Sequence, residues 1–377
     1  MNYKLFTLGE LVTIKYGKNQ KKVQSADGSI PIYGTGGLMG YATQALYNNP
    51  SVLIGRKGTI NKVRYVNHPF WTVDTLFYTE VNEDIVFPKY LYYLMSLLDL
   101  DSYNEGTTIP SLRTETLNRL EFDIPTIDYQ SKVLSAIEPL DKKININKEI
   151  NDNLIEQARA VFQAWFIDYE PFGGVAPSDW SPSTLGQIAE IKTDSWSPTK
   201  NPDVVVEHYS IPAFDEQHYP VFEISSGIKS NKYILHSDSV MISKLNPDTK
   251  RIWRPMCLST HPVCSTEFIV YEAKKPKQRD YIYSIIDSVP FLKYLCSHTT
   301  GSTNSRQRTT PRSTLDFTLC LPPDSVIEDF CQIVTPMYDL IASNIVENQS
   351  LAKARDSLIP RLMSGKIDVS DIDFSSR

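Results

Sequence analysis

Between positions 129 and 169 the polarity of the chain repeats in steps of three and four. Ile137, Leu140, Ile144, Asn147, Asn151, Leu154, Ala158, Val161 and Trp165 fall on one stripe, apolar except for its two asparagines. Such an a/d seam predicts a long helix over residues 129–169 packed lengthwise on a partner helix. From Ile137 to Trp165 the seam would span roughly 42 Å at the rise of an α-helix.

The same pattern returns 197 positions later. Val334, Met337, Ile341, Asn344, Asn348, Leu351, Arg355, Leu358 and Leu362 repeat the register, with the paired asparagines at the same two places. Only Arg355, opposite Ala158, interrupts the apolar match. A second long helix over 327–366 follows. Asparagine in such a seam lowers stability but fixes register and partner, because an unpaired amide there is costly. If the helices pair antiparallel within one chain, Asn147 and Asn151 face Asn344 and Asn348 around a pseudo-two-fold axis. Two parallel seams serving coiled coils between molecules are the alternative; the short connector favours internal pairing.

The segments before each helix are also duplicated. Thr7-Leu8-Gly9-Glu10-Leu11 recurs as Thr184-Leu185-Gly186-Gln187-Ile188, and Val52-Leu53-Ile54-Gly55-Arg56-Lys57 parallels Val240-Met241-Ile242-Ser243-Lys244-Leu245. Tyr90-Leu91-Tyr92 matches Tyr281-Ile282-Tyr283 at the head of an amphipathic helix. Gly106-Thr107-Thr108 is echoed by Gly301-Ser302-Thr303. In each copy, short strands broken by Gly, Asn and Pro turns precede a helix (from Pro88, and from Arg279). A polar loop and a returning strand follow, at residues 117–124 and 315–321. The expected organisation is α+β, a tandem duplication of a globular α/β unit and a long helix. Its parts are a first unit at 1–127, a helix at 128–170, a Pro/Gly-rich connector at 171–183, a second unit at 184–325, a second helix at 326–366 and a tail at 367–377.

No apolar run is long enough to span a membrane, and the start lacks a signal-peptide core, so a cytoplasmic protein is expected. The five cysteines are odd in number and give no disulfide framework. Cys257, His261 and Cys264 bring three possible zinc ligands together, though not at a standard spacing, and thiols in a core are the simpler reading. A net charge of −6 argues against a uniform field for nucleic acid. The cations are clustered instead: Lys15, Lys18, Lys21 and Lys22; Arg56, Lys57, Lys62 and Arg64; Lys244, Lys250, Arg251 and Arg254; Arg306, Arg308 and Arg312.

No catalytic constellation is legible. Asn49-Pro50-Ser51, Asn201-Pro202-Asp203 and Asn246-Pro247-Asp248 each miss the Asn/Asp-Pro-Pro-aromatic motif by which adenine methyltransferases hold a flipped base. Gly34-Thr35-Gly36-Gly37-Leu38-Met39-Gly40 lacks both the dinucleotide glycine spacing and the Lys-Ser/Thr of a P-loop, and reads as a hairpin turn. Basic and amide side chains on loops fit DNA better. Candidate phosphate contacts are Lys18, Lys21, Lys22, Arg56, Lys57, Lys250 and Arg251. Candidate base readers, able to fork onto guanine or adenine, are Asn19, Gln20 and Arg113 in the first unit. In the second they are Asn304, Arg306, Gln307 and Arg308. A structural scaffold whose globular units bind a peptide or nothing is the competing class. Two half-sites read from one DNA face lie roughly 34–36 Å apart, a length comparable with the seam.

These residues carry a resemblance. The Leu8-Gly9-Glu10 opening, the Tyr33-Gly34-Thr35-Gly36-Gly37 turn, the Gly106-Thr107-Thr108 loop, the Asn153–Arg159 helix segment and the ending Leu358-Ile359-Pro360-Arg361-Leu362-Met363-Ser364-Gly365-Lys366-Ile367 resemble the specificity subunits of type I restriction-modification enzymes. The resemblance covers essentially the whole chain. It implies a non-catalytic DNA reader with two target-recognition domains, each reading one half of an asymmetric bipartite site. Two long antiparallel helices would set the spacing and dock two adenine-specific methyltransferase subunits, with restriction/translocase subunits outside them. S-adenosylmethionine, ATP and Mg²⁺ would belong to those partners, leaving this chain with no cofactor of its own.

Overall fold

A computed structural model describes residues 3–300 and 307–374. The chain forms two compact units: unit 1 is Met1–Ile144 with Gln349–Arg377, and unit 2 is Asn145–Asn348.

In unit 1 the main sheet is antiparallel, in the order Val12–Tyr16, Leu76–Val81, Ser51–Gly55, Val63–Val66. Ser51–Gly55 is buried along its whole length, as its continuous apolar run requires. Helix Pro88–Ser96 begins on a proline, whose missing N–H is not needed in a first turn, and buries Tyr90, Leu91, Tyr93 and Met95. These residues share a core with Leu8, Leu11, Phe77 and Ile137 and with Ile359 and Leu362. Strands Tyr3–Thr7 and Glu121–Pro125 close the unit as a separate antiparallel pair. A second sheet runs Gly37–Ala42, Ile30–Gly34, Trp71–Thr72, its last two strands parallel.

Unit 2 repeats this plan. Its main sheet is Ala189–Lys192, Phe268–Ala273, Ser239–Ser243, Ile252–Trp253, and its closing pair is Ser181–Thr184 with Thr318–Leu321. Even the hydrogen bond that starts the first short helix recurs: Leu8 N donates to Leu120 O at 2.7 Å, and Leu185 N to Phe317 O at 2.9 Å. The second sheet has grown to five strands, Ser195–Trp196, Lys232–Ile234, Pro262–Ser265, Val205–Tyr209, Val221–Ile224, with the parallel step kept between Val205–Tyr209 and Pro262–Ser265.

The expected returning strands are shorter than their apolar pattern. Thr114–Asn118 is helical, because Leu117 is buried from a helical turn, and the strand starts only at Glu121. Residues 311–316 likewise form a 3-10 turn before Thr318–Leu321.

The two long helices run Ile127–Phe166 and Asp324–Met363, 40 residues each, starting a little earlier than the seams alone predict. Pro139 lies inside the first without ending it. No seam position in either helix is exposed, including Leu140, Ile144, Leu154, Leu351 and Met337. Within unit 2, Asn147 Nδ2 donates to Asn348 Oδ1 at 2.9 Å and to Glu347 Oε2 at 2.7 Å, and Asn344 Nδ2 donates to Asn151 Oδ1 at 2.8 Å. Partner numbers fall on one helix as they rise on the other, so the segments are antiparallel. Val334, Met337 and Ile341 pack into the unit 2 core with Ala158 and Phe162.

Within unit 1, Arg355, the polar break in the seam, pairs with Asp141 at 2.9 Å. Asp141 also accepts the Tyr93 hydroxyl and lies 3.5 Å from Lys89, so the short helix Pro88–Ser96 is tied to both long ones. Burial opposes ionisation of Asp141, but the hydrogen bonds from Tyr93 and Arg355 and the charges of Lys89 and Arg355 outweigh it and hold its pKa below the ordinary value. The tail closes the unit: Lys132 Nζ donates to Ser370 O at 2.5 Å and Val369 is buried.

Candidate nucleic-acid interface

In unit 1, loops gather at one end of the main sheet because strand ends and turns hydrogen-bond to each other there. The chain leaves Val12–Tyr16 through Gly17, whose N–H donates to Leu76 O at 3.0 Å. A Cβ on Gly17 would lie 2.0 Å from Val73 O, so only glycine fits. Lys18 N donates to Thr72 O at 2.8 Å, and Trp71 Nε1 donates to Lys18 O at 2.8 Å. Asn19 Oδ1 then accepts from Lys21 N at 2.9 Å, forming an Asx turn. This anchoring leaves Lys18, Asn19, Lys21 and Lys22 exposed and Gln20 half-buried.

Strand Ser51–Gly55 empties into Arg56-Lys57 at the same end. The Arg56 guanidinium lies 5.1 Å from the Tyr16 ring centroid and donates to Asp74 O at 2.8 Å, while Lys57 is exposed. Loop 104–113 is spliced onto this turn: Gly58 N donates to Pro110 O at 2.9 Å and Leu112 N to Arg56 O at 3.0 Å. Asn104 Oδ1 accepts from both Gly106 N and Ser111 N, folding the loop on itself. Arg113 emerges from it, exposed, with Nε 3.0 Å from Glu105 Oε2. The unit 1 candidates are therefore all brought to one loop cluster.

Unit 2 builds the same splice from different residues. Asn246 N donates to Gln307 O at 2.9 Å and Thr309 N to Lys244 O at 3.0 Å, reproducing the Gly58–Pro110 and Leu112–Arg56 bonds. Arg308 is exposed beside this turn and forks onto Glu267, with Nε to Oε2 at 3.0 Å and Nη2 to Oε1 at 3.2 Å. Gln307 is half-buried. Asn304 and Arg306 lie outside the described residues.

Lys250 and Arg251 have partners of their own. Lys250 Nζ is 2.5 Å from Asp287 Oδ1, a carboxylate that also takes Arg159 Nε at 2.7 Å. Arg251 holds Asp215 through two bonds of 2.6 and 2.9 Å. Both cations therefore serve to pin neighbouring elements of unit 2. Sequence reasoning missed Tyr16, the aromatic platform under Arg56; only its place at the end of a strand before a lysine-rich turn hints at that role.

Of the zinc candidates, Cys257 packs against the cluster that buries Cys264 beside Tyr209 and Trp253, whereas His261 lies against Trp196. Among the described residues no group of three His, Cys, Asp or Glu is placed to hold a metal, and no helix is long and apolar enough to cross a membrane. What the clusters offer is non-covalent: guanidinium and ammonium charges, amides and an aromatic face, on loops fixed by backbone hydrogen bonds.

Residues 1–156 match the model of the type I restriction modification DNA specificity domain. The MjaIX specificity subunit of Methanocaldococcus jannaschii is 22% identical over 351 residues, spanning 87% of this chain and 80% of that protein. The HindI specificity subunit of Haemophilus influenzae is 24% identical over 366 residues, spanning 76% and 79%. Among solved structures, the S subunit of a type I restriction-modification system from M. genitalium covers 96% of both chains with a TM-score of 0.57 at 15% identity, a likeness of fold.

Proposed function

We propose, from the match of residues 1–156 to the type I restriction modification DNA specificity domain, that this chain is the DNA-recognition subunit of a type I restriction-modification complex. Each unit reads one half of an asymmetric bipartite duplex site. The long helices set the gap between the halves and dock two methyltransferase subunits, and restriction/translocase subunits join through that complex. The chain itself performs no chemistry; S-adenosylmethionine, ATP and Mg²⁺ act on the partners.

The observation that carries this reading is the repeated splice. In both units a basic turn at a strand end is hydrogen-bonded to a loop bearing an exposed arginine, with matching bonds and unlike side chains. A shared backbone with divergent loop residues is what two readers of different half-sites need. Phosphate contacts from Lys18, Lys21, Lys22 and Lys57 supply affinity, and forked contacts from Arg113 and Arg308 supply sequence. The test is methylome sequencing of cells carrying this chain with its methyltransferase. Arg113→Ala should relax one half of the motif and Arg308→Ala the other; no motif at all, or equal loss in both halves for each variant, overturns the reading.

A further inference from the structure

The edge strand Gly37–Ala42 of unit 1 carries an apolar patch where a sheet edge ordinarily carries charge. Leu38 is 54% exposed, Met39 53% and Tyr41 45%. Successive side chains of a strand point to opposite faces, so Leu38 and Met39 should not both be outside. They are, because the register with Ile30–Gly34 slips: Tyr33 opposes Leu38 and Ile32 opposes Gly40, leaving Met39 as the extra residue of a bulge. Bulges re-aim side chains, and this one aims two adjacent apolar residues outward. Gly34 accommodates it, since a Cβ there would lie 2.3 Å from Met39 Sδ.

The surroundings of the patch identify what it meets. Arg64 Nη2 lies 3.2 Å from where a Cβ on Gly37 would stand, and Thr35, at the hairpin tip, is beside Gly58 in the Arg56-Lys57 turn. Gln24, just after exposed Lys21 and Lys22, lies against Gly40. An apolar pair rimmed by cations is complementary to a ligand with an anionic outside and apolar faces within. Duplex DNA is that ligand, with phosphates on the rim and thymine methyls and base steps between them. Unit 2 also exposes apolar side chains on the corresponding edge, though in regular register without a bulge: strand Val221–Ile224 is the edge next to the parallel pair, and its Phe222 and Ile224 are 45% and 55% exposed.

Building on the reading of unit 1 as a DNA-recognition unit, we infer that Leu38 and Met39 are specificity-determining residues that contact bases through apolar surface. Their contribution releases no counterions, which separates it from that of the lysines. The complex of this chain with its methyltransferase is used to select from a pool of randomised duplexes, and the selected duplex is then compared with a scrambled one. Leu38→Ala with Met39→Ala should lower discrimination about tenfold or more, the scale of one lost base contact, without altering the slope of affinity against salt. Leu38→Gln with Met39→Gln, which keeps the side-chain length, should do the same. Leu38 and Met39 are both half-exposed, and an unchanged unfolding midpoint verifies the fold. Unchanged discrimination overturns the inference. So does unchanged discrimination accompanied by lost association with the methyltransferase, which makes the hairpin a protein dock. If the unsubstituted complex selects no motif, the recognition reading itself falls; if it does and the variants match it, only this inference falls.

Discussion

Asn344 donates its side-chain amide to Asn151 Oδ1 at 2.8 Å, with both residues buried in the seam between the two long helices. Asn151→Leu leaves the Asn344 amide without that acceptor and should destabilise the chain by about 1–3 kcal/mol. Replacing both by Leu should recover most of the loss. Urea unfolding of the two single variants and the double variant completes the cycle, and additive losses would mean that the pair is not coupled.

Asp141 joins three elements of unit 1 through Tyr93, Lys89 and Arg355. Its folded pKa lies below the ordinary value of 3.8. The stability it supplies is therefore present above 3.8 and lost as pH falls through the folded value. Asp141→Asn should destabilise unit 1 at neutral pH by about 1–3 kcal/mol and flatten the acid limb of the stability profile. Urea midpoints measured across that limb check this; an equally steep limb in the variant would place the acid sensitivity elsewhere.

Lys21 and Lys22 stand exposed on a loop pinned at Gly17 and Lys18. Replacing both by Ala should weaken DNA binding for all sequences alike. The slope of log affinity against log salt should become shallower by roughly 0.9 for each phosphate contact removed. Fluorescence anisotropy titrations at several salt concentrations read the slope; a lost preference at constant slope would instead make these lysines base readers.

Gly106 closes the loop that presents Arg113, and a Cβ there would lie 1.9 Å from Ile109 O. Gly106→Ala has to displace the backbone between Asn104 and Ser111, and with it the Glu105–Arg113 pair. The selected motif should change in one half only, with global stability within about 1 kcal/mol of the parent because the loop is exposed. Intact selectivity in both halves would show that this loop does not read DNA.

The seam was legible because burial has a period: a residue every three or four positions had to face inward, and the asparagines mark where two polar rungs meet. The duplication was legible for the same reason, since strands buried on both sides keep their apolar runs. Ion pairs carry no such period. Lys250 and Arg251 look like free loop cations in the sequence, yet their carboxylates stand at Asp287 and Asp215, on elements that only the fold brings near. Tyr16 under Arg56 and the bulge at Met39 were hidden likewise. Each depends on register between strands, and register is a long-range property.

Unit 2 is one continuous stretch, Asn145–Asn348, whereas unit 1 needs both Met1–Ile144 and Gln349–Arg377. During synthesis the second unit can therefore fold as soon as it has left the ribosome. The first must hold its buried surface open until Ile359, Leu362 and Val369 arrive. The earlier-made unit is the later-finished one, and a chain cut short just past Asn348 would hold one complete unit and one exposed core.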